Sequence, residues 1–330
     1  MALSNKKHIS IMWWNVNNFY HFRQEEVGSL ASRWPQTHAA YLAKLERVVT
    51  AFNEIILLTG KPDIIFLGEV TAESAKAIRD RVFPGYRLSS LDVKRDAPTL
   101  QVAIIYTDDC ESTSFVEQPP ITVVATPRGT RPMAVLDIRM SDSTVRIVGC
   151  HWQSRFDELG SEQTRFRLAD HLAMYSYDFL NEKPGSNHIA VLGDLNEEPF
   201  ERSLLALYAH RNRYRSKAKT HWADHDSKRA HLYNTSWRLL GEKYPHRGKS
   251  LDDCAGTYYW ESERTWHHFD HLIVSGGLLQ ATTPFLDEEQ VHIVSSNALL
   301  TDGLPIKFSS KNGVYRGLSD HLPLVARINI

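Results

Sequence analysis

The sequence predicts an α/β sandwich built on mixed β-sheets, and three observations lead there. Helix-like and strand-like segments are interspersed along the whole 330-residue chain, not segregated into halves. Short apolar runs rich in β-branched residues alternate with longer amphipathic stretches. In the middle of the chain several such runs succeed one another as antiparallel neighbours do, which argues against a doubly wound parallel sheet.

In order, Ile9 to Trp14 reads as a first strand. A long helix follows from Gln36 to Leu58, where Tyr41, Leu45, Val48, Val49, Phe52 and Ile56 recur at three- and four-residue steps. Pro35 suits its first turn, and Gly60 with Pro62 stops it. Asp63 to Leu67 is a buried strand that delivers Glu69 at its end. Thr71 caps a second helix that runs to about Val82 and closes at Pro84-Gly85. Strands are expected at Val102 to Tyr106, Ile121 to Ala125, Ala134 to Met140 and Val145 to Cys150. A helix covers about Glu162 to Leu180, and the strand Ile189 to Leu192 ends in Gly193-Asp194 with a helix after Pro199. The last strands are Phe269 to Val274 and Leu324 to Ile328. No repeat, linker or low-complexity tract interrupts the chain. It is read as one domain over residues 6–330, with an irregular polar insertion at about 211–256.

With 38 Lys and Arg against 39 Asp and Glu, the net charge of -1 supplies no global attraction to nucleic acid or anionic membranes; any such attraction must be local. Cys110, Cys150 and Cys254 are few and far apart, which argues against a disulfide framework and suits a reducing compartment. The N-terminus carries no apolar run of signal-peptide length, and nothing approaches the roughly 20 apolar residues of a membrane span. A cytoplasmic protein without a membrane partner is expected.

Six short segments place polar residues just after apolar runs. They are Trp14-Asn15-Val16-Asn17, Gly68-Glu69, Cys150-His151-Trp152-Gln153, Gly193-Asp194-Leu195-Asn196, Phe269-Asp270-His271 and Ser319-Asp320-His321. Strand ends are where a rigid sheet holds functional groups at one edge. Each alone also has a plain structural reading: Asp194 and Asn196 as Asx capping, Glu69 as a helix-start anion, His151 as a core histidine. Together they support phosphate-ester chemistry. Glu69 and Asp320 offer hard oxygen ligands for Mg2+. Asn15 and Asn196 add neutral donors, Asp194 can accept a proton from water, and His321 can stabilise a phosphorane.

In these segments the sequence resembles the endonuclease/exonuclease/phosphatase superfamily. That metal-dependent group includes DNase-I-like nucleases, abasic-site endonucleases, sphingomyelinases and inositol polyphosphate phosphatases. The motifs Trp-Asn-Val at 14–16, Glu69, His151, Gly-Asp-Leu-Asn at 193–196, Asp270 and Ser-Asp-His-Leu-Pro at 319–323 occur in the family's order over nearly the whole chain. The resemblance implies a four-layer sandwich, two packed mixed or antiparallel sheets flanked by helices. It implies Glu69 as the main ligand of Mg2+ (or Mn2+), with Asn15 near it and Asp320 supporting the shell. Asp194 would activate water, Asn196 position it, and His321 contact the phosphate with Asp270 as its carboxylate partner. His151 would be a second histidine at the phosphate, away from the abasic-site branch, which tends to place a tyrosine there. Asn17 departs from the family: many relatives carry Asp or Glu at that place. An amide removes a ligand for a second metal, so one ion is expected, and Asn17 is grouped with the substrate-facing residues.

The fold does not name the substrate. Arg211, Arg213 and Arg215, continued by Lys217 and Lys219, fall at alternate positions and would line one side of an extended segment as a backbone-tracking strip. Arg155, after His151, and Arg128 and Arg131 in a Thr-Pro-Arg-Gly-Thr-Arg-Pro stretch are further candidates for phosphate contacts. Trp13, Trp14, Trp222, Trp237, Trp260 and Trp266 offer stacking surfaces for bases. The expectation is a phosphodiesterase that cuts nucleic acid, DNA before RNA. A phosphatase or phospholipase of the inositol-phosphatase or sphingomyelinase type is the alternative, and a non-catalytic scaffold is the remaining class. Zinc at His267-His268 is set aside, since adjacent histidines point to different faces and lack spaced Cys or His partners.

Overall fold

The structure, a computed structural model, describes residues 6–22, 37–91, 100–108, 112–116, 121–123, 126–128, 130–155, 161–207, 222–240, 245–246, 249–250 and 254–330. Two six-stranded mixed sheets pack face to face with helices outside them. The first sheet takes β1 (His8–Phe19), β2 (Ile64–Val70), β3 (Arg87–Ser89) and β4 (Gln101–Tyr106). The second takes β5 (Ser112–Val116), β6 (Met133–Arg139), β7 (Thr144–His151), β8 (Asn187–Asp194), β9 (Leu232–Asn234) and β10 (Asp270–Ser275). The chain then returns to the first with β11 (Phe285–Ile293) and β12 (Leu324–Asn329). The orders are β11-β12-β1-β2-β4-β3 and β9-β10-β8-β7-β6-β5. Each sheet has one parallel pair at its centre, β1 with β2 and β7 with β8, among antiparallel neighbours.

Strand alternation explains the layering. In the second sheet Ile147, Ala190, Leu272 and Val274 face the first sheet, while Val148, Val191 and Ile273 face α3 (Ser161–Glu182). On the outside of the first sheet, α1 (His38–Thr59) buries Tyr41, Leu45, Val48 and Phe52, and α2 (Ala72–Val82) buries Ala75 and Ile78. Thr37 and Thr71 cap these helices, accepting from the amides of Ala40 and Ser74. Gly149 lets the sheets approach: a Cβ there would run into the Phe66 ring of β2.

Some elements differ from the sequence reading. β1 and β2 run past Trp14 and Leu67 and carry Asn15 and Glu69 inside the strands, beside irregularities in their pairing. The helix expected after Pro199 is a 3-10 turn, Arg202–Leu207. Ile121–Val123 pairs with Thr126–Arg128 in a separate hairpin. Leu232–Asn234, inside the stretch read as an insertion, is an edge strand of the second sheet; three residues are too few to show a period. No described helix is long and apolar enough to cross a membrane.

Gly149→Ala should lower the unfolding free energy by about 1–3 kcal/mol, because overpacking forces the Phe66 ring to move. Combining it with Phe66→Leu in a denaturant double-mutant cycle should show coupling; additive effects would place the close approach elsewhere.

Candidate active site

The centre forms where the two parallel pairs end together. Asn15 and Glu69 lie where the regular register of one pair gives out, and His151 and Asp194 end the other, paired across β7 and β8. β10 runs antiparallel to β8 and so starts at that edge with Asp270 opposite Asp194. β12 runs antiparallel to β1, which brings Asp320 and His321, just ahead of it, to the same place. The backbone bends sharply here: Asn17, Asn18, Glu69 and Asn196 have φ of 52°, 46°, 57° and 52°. Asparagine tolerates this left-handed region; for Glu69 it stores strain of about 1–3 kcal/mol. Gly193, at φ 151°, admits no side chain, since a Cβ would overlap the Cys150 carbonyl of the neighbouring strand.

Every carboxylate in the cluster has a donor. Asn15 Nδ2 donates to Asp194 Oδ2 at 3.0 Å and to Glu69 Oε1 at 3.3 Å. The Asn18 amide donates to Glu69 Oε2 at 2.6 Å, and Asn17 Nδ2 to Asp320 Oδ1 at 2.8 Å. Lys307 pairs with Asp320 Oδ2 at 3.2 Å. Asp270 accepts from Trp13 Nε1 at 2.6 Å through Oδ1, and its Oδ2 lies 2.8 Å from His321 Nδ1. The Asn196 amide donates to Asp194 Oδ1 at 3.0 Å, and Ser319 Oγ ties its loop to the Asn15 carbonyl at 2.7 Å.

Asp194 Oδ2 lies 3.7 Å from the Nε2 of both His151 and His321. The two imidazoles differ in charge. Burial alone would lower His321, but Asp270 and Asp194 together push it up to about 10. Burial, helped by Arg131 and His321, drives His151 well below the usual histidine range. Burial also lifts Asp194 to about 7; Asp270 and Glu69 add to the rise, and His321 opposes it.

The donor set fits a hard divalent cation. Oxygens dominate, and the Asp270 and Glu69 carboxylates add to the burial that raises Asp194, a repulsion that a cation would relieve. Asp194, Asp270 and His321 present donor atoms within 4.8 Å of one another. Asp270 is wholly buried with its oxygens on Trp13 and His321, however, whereas Glu69 is the most exposed carboxylate of the cluster, its side chain 17% exposed.

Other expected residues are placed differently. Asn17 faces Asp320 and its carbonyl accepts from Lys44, so its polar groups are turned into the protein. Arg155 donates to the Asn196 carbonyl at 2.9 Å, pairs with Glu197 and Glu201, and lies over Phe269. It braces the Asp194–Asn196 loop, as does buried Arg165 through Glu197. Arg131 donates to the Trp152 carbonyl at 3.4 Å beside His151. Arg128 ends a short strand, and Arg211, Arg213 and Arg215 lie outside the described residues. Trp13 and Trp14 are fully buried and offer no stacking face; Trp14 Nε1 donates to the His321 carbonyl at 3.1 Å. Sequence reasoning missed these indole donors and Tyr258, whose ring centroid is 4.7 Å from that of His321. It also missed Lys44, wholly buried and brought down to about 7 by burial against the pull of Glu69 and Asp320. A signal existed: Lys44 falls in step with Ala40 and Val48 on the apolar face of α1.

The profile of the Endonuclease/Exonuclease/phosphatase family matches residues 10–329. Among solved structures the chain is similar to TDP2 from Caenorhabditis elegans, at 14% identity and TM-score 0.54 over 100% of this chain and 77% of that one. It is also similar to D. rerio TDP2 complexed with single strand DNA product, at 14% identity and TM-score 0.56 over 98% and 100%. A third is Bacteroides thetaiotaomicron mannosyl-6-phosphatase, at 13% identity and TM-score 0.53 over 98% and 100%. At such identities the likeness establishes the fold. No curated protein sequence matches the chain.

Asp270→Asn should return His321 toward the ordinary histidine value of about 6.5, read by NMR titration of the metal-free protein. A histidine raised in the folded state lends stability that is complete below its unfolded pKa and lost as pH rises through its folded one. The variant's stability deficit should therefore be fully present at about pH 6.5, shrink as pH rises and close toward about pH 10.

Proposed function

The chain belongs to the Endonuclease/Exonuclease/phosphatase family, and on that premise we propose that it is a Mg2+-dependent phosphodiesterase acting on nucleic acid, DNA before RNA. The observation that carries the reading is Asp194, a carboxylate at 3.7 Å from one neutral and one charged imidazole. That arrangement suits attack of water on a phosphate diester. Asp194, near neutrality in its pKa, accepts the proton as the water oxygen bonds to phosphorus. The His321 imidazolium, kept charged by Asp270, stabilises negative charge on a non-bridging oxygen while the ester P–O bond breaks. Neutral His151, at the same Asp194 oxygen, can bond a phosphoryl oxygen without a net charge of its own. Asn196 fixes the Asp194 carboxylate through its amide, and Arg155 and Arg165 brace its loop. Glu69 would hold the Mg2+ (or Mn2+), with Asn15 and Asp320 supporting it. When bound, the ion polarises the phosphoryl oxygen and offsets charge on the leaving oxygen.

Nucleic acid as the substrate is supported by the single-strand DNA product held by the D. rerio relative. Arg128, Arg131, Arg211, Arg213 and Arg215 remain the proposed phosphate contacts along the strand. The mannosyl-6-phosphatase relative favours a second reading, a phosphomonoesterase on the same centre.

Purified protein should cleave single-stranded or plasmid DNA, and a bis-aryl phosphodiester, with Mg2+ and not with EDTA. Turnover in EDTA would sink the mechanism, and hydrolysis of phosphomonoesters alone would favour the second reading. Asp194→Asn should lower kcat by about three orders of magnitude or more while the melting temperature holds.

A further inference from the structure

Lys44 is wholly buried in α1, where the neighbouring steps Tyr41, Leu45 and Val48 are core residues. Its Nζ donates to the Asn17 carbonyl and sits 5.4 Å from the Phe19 ring centroid and 5.6 Å from that of Phe308. Among the described residues no carboxylate pairs with it directly; the charges it feels are those of Glu69 and Asp320. A buried ammonium without a contact ion pair is costly, and an apolar side chain would fill the same place without that cost. Its position gives the charge a use. The Asn17 carbonyl it grips belongs to the left-handed turn in which Asn17 Nδ2 reaches Asp320 and the Asn18 amide reaches Glu69. That turn also carries an amide, Asn17, where a carboxylate would add a negative ligand.

We propose that Lys44 is a positioning residue that stands in for a second cation: from beneath the centre its ammonium balances Glu69 and Asp320 and locks the Asn17–Asn18 turn, so that the site takes one divalent ion and holds it less tightly than its carboxylates alone would. Repulsion between the ammonium and an incoming cation weakens binding, and the same repulsion disfavours a second ion. The inference rests on the metal-centre part of the reading above.

The test is calorimetric titration of EDTA-stripped protein with Mg2+ and with Mn2+, below about pH 7, where Lys44 keeps its proton. Lys44→Met keeps the stem and removes the charge; Lys44→Gln keeps a donor for the Asn17 carbonyl. Wild type should bind one ion, and each variant that folds should bind it about tenfold more tightly. The sign is decisive. A merely structural lysine would leave a disordered turn and weaker binding, so unchanged or weaker affinity in either folded variant overturns the proposal, as do two ions bound by wild type. Ion binding is read without turnover, so a protein that binds as expected but cleaves no diester would refute the activity and leave this inference standing.

Discussion

The structure depends on keeping four carboxylates together at one edge of a sandwich. Glu69, Asp194 and Asp270 come from three strands and Asp320 from the loop ahead of β12, and the last three are almost wholly buried. An unpaired carboxylate in such a place costs several kcal/mol. The donors that answer this come largely from one strand. From the end of β1, the Trp13 indole serves Asp270, Asn15 serves Glu69 and Asp194, Asn17 serves Asp320, and the Asn18 amide serves Glu69. β1 can do this because its pairing with β2 becomes irregular beyond Asn15, and that irregularity turns successive residues toward different partners. The apolar layers make the arrangement affordable in stability, since each fully buried side chain such as Phe52 or Phe66 contributes about 1.5–3 kcal/mol.

Charge at the centre is sorted, not uniform. Asp270 commits both oxygens to Trp13 and His321 and so fixes an imidazolium. Asp194, opposite it, is left near neutrality, and His151 is kept uncharged by burial. Three groups that meet at Asp194 Oδ2 therefore carry three protonation tendencies, the division of labour that the proposed proton abstraction and phosphorane stabilisation require. Lys44 adds a cation from the core side, on α1.

Much of this was legible in the sequence because it obeys local rules. Asp194, Asn196, Asp320 and His321 stand at strand ends beside turn-forming residues, and the period of α1 and the cap at Thr71 follow from spacing alone. What was not legible is non-local or too short. Trp13 meets Asp270 across 257 positions, and Trp14 meets His321 across 307, so nothing in either neighbourhood marks an indole as a donor instead of a stacking plate. Arg155 looked free for phosphate because its partners Glu197 and Glu201 follow Asn196, on another loop. β3 and β9 have three residues each, and in β11 the run Asp287-Glu288-Glu289 with a break in register hides the alternation.

The central claim is that water, deprotonated by Asp194, attacks phosphorus directly. The stereochemical course of hydrolysis of a chiral phosphorothioate diester in heavy-oxygen water tests it most directly. A single in-line displacement predicts inversion at phosphorus with one solvent oxygen incorporated. Retention would contradict the account, because it would require a covalent intermediate on the protein.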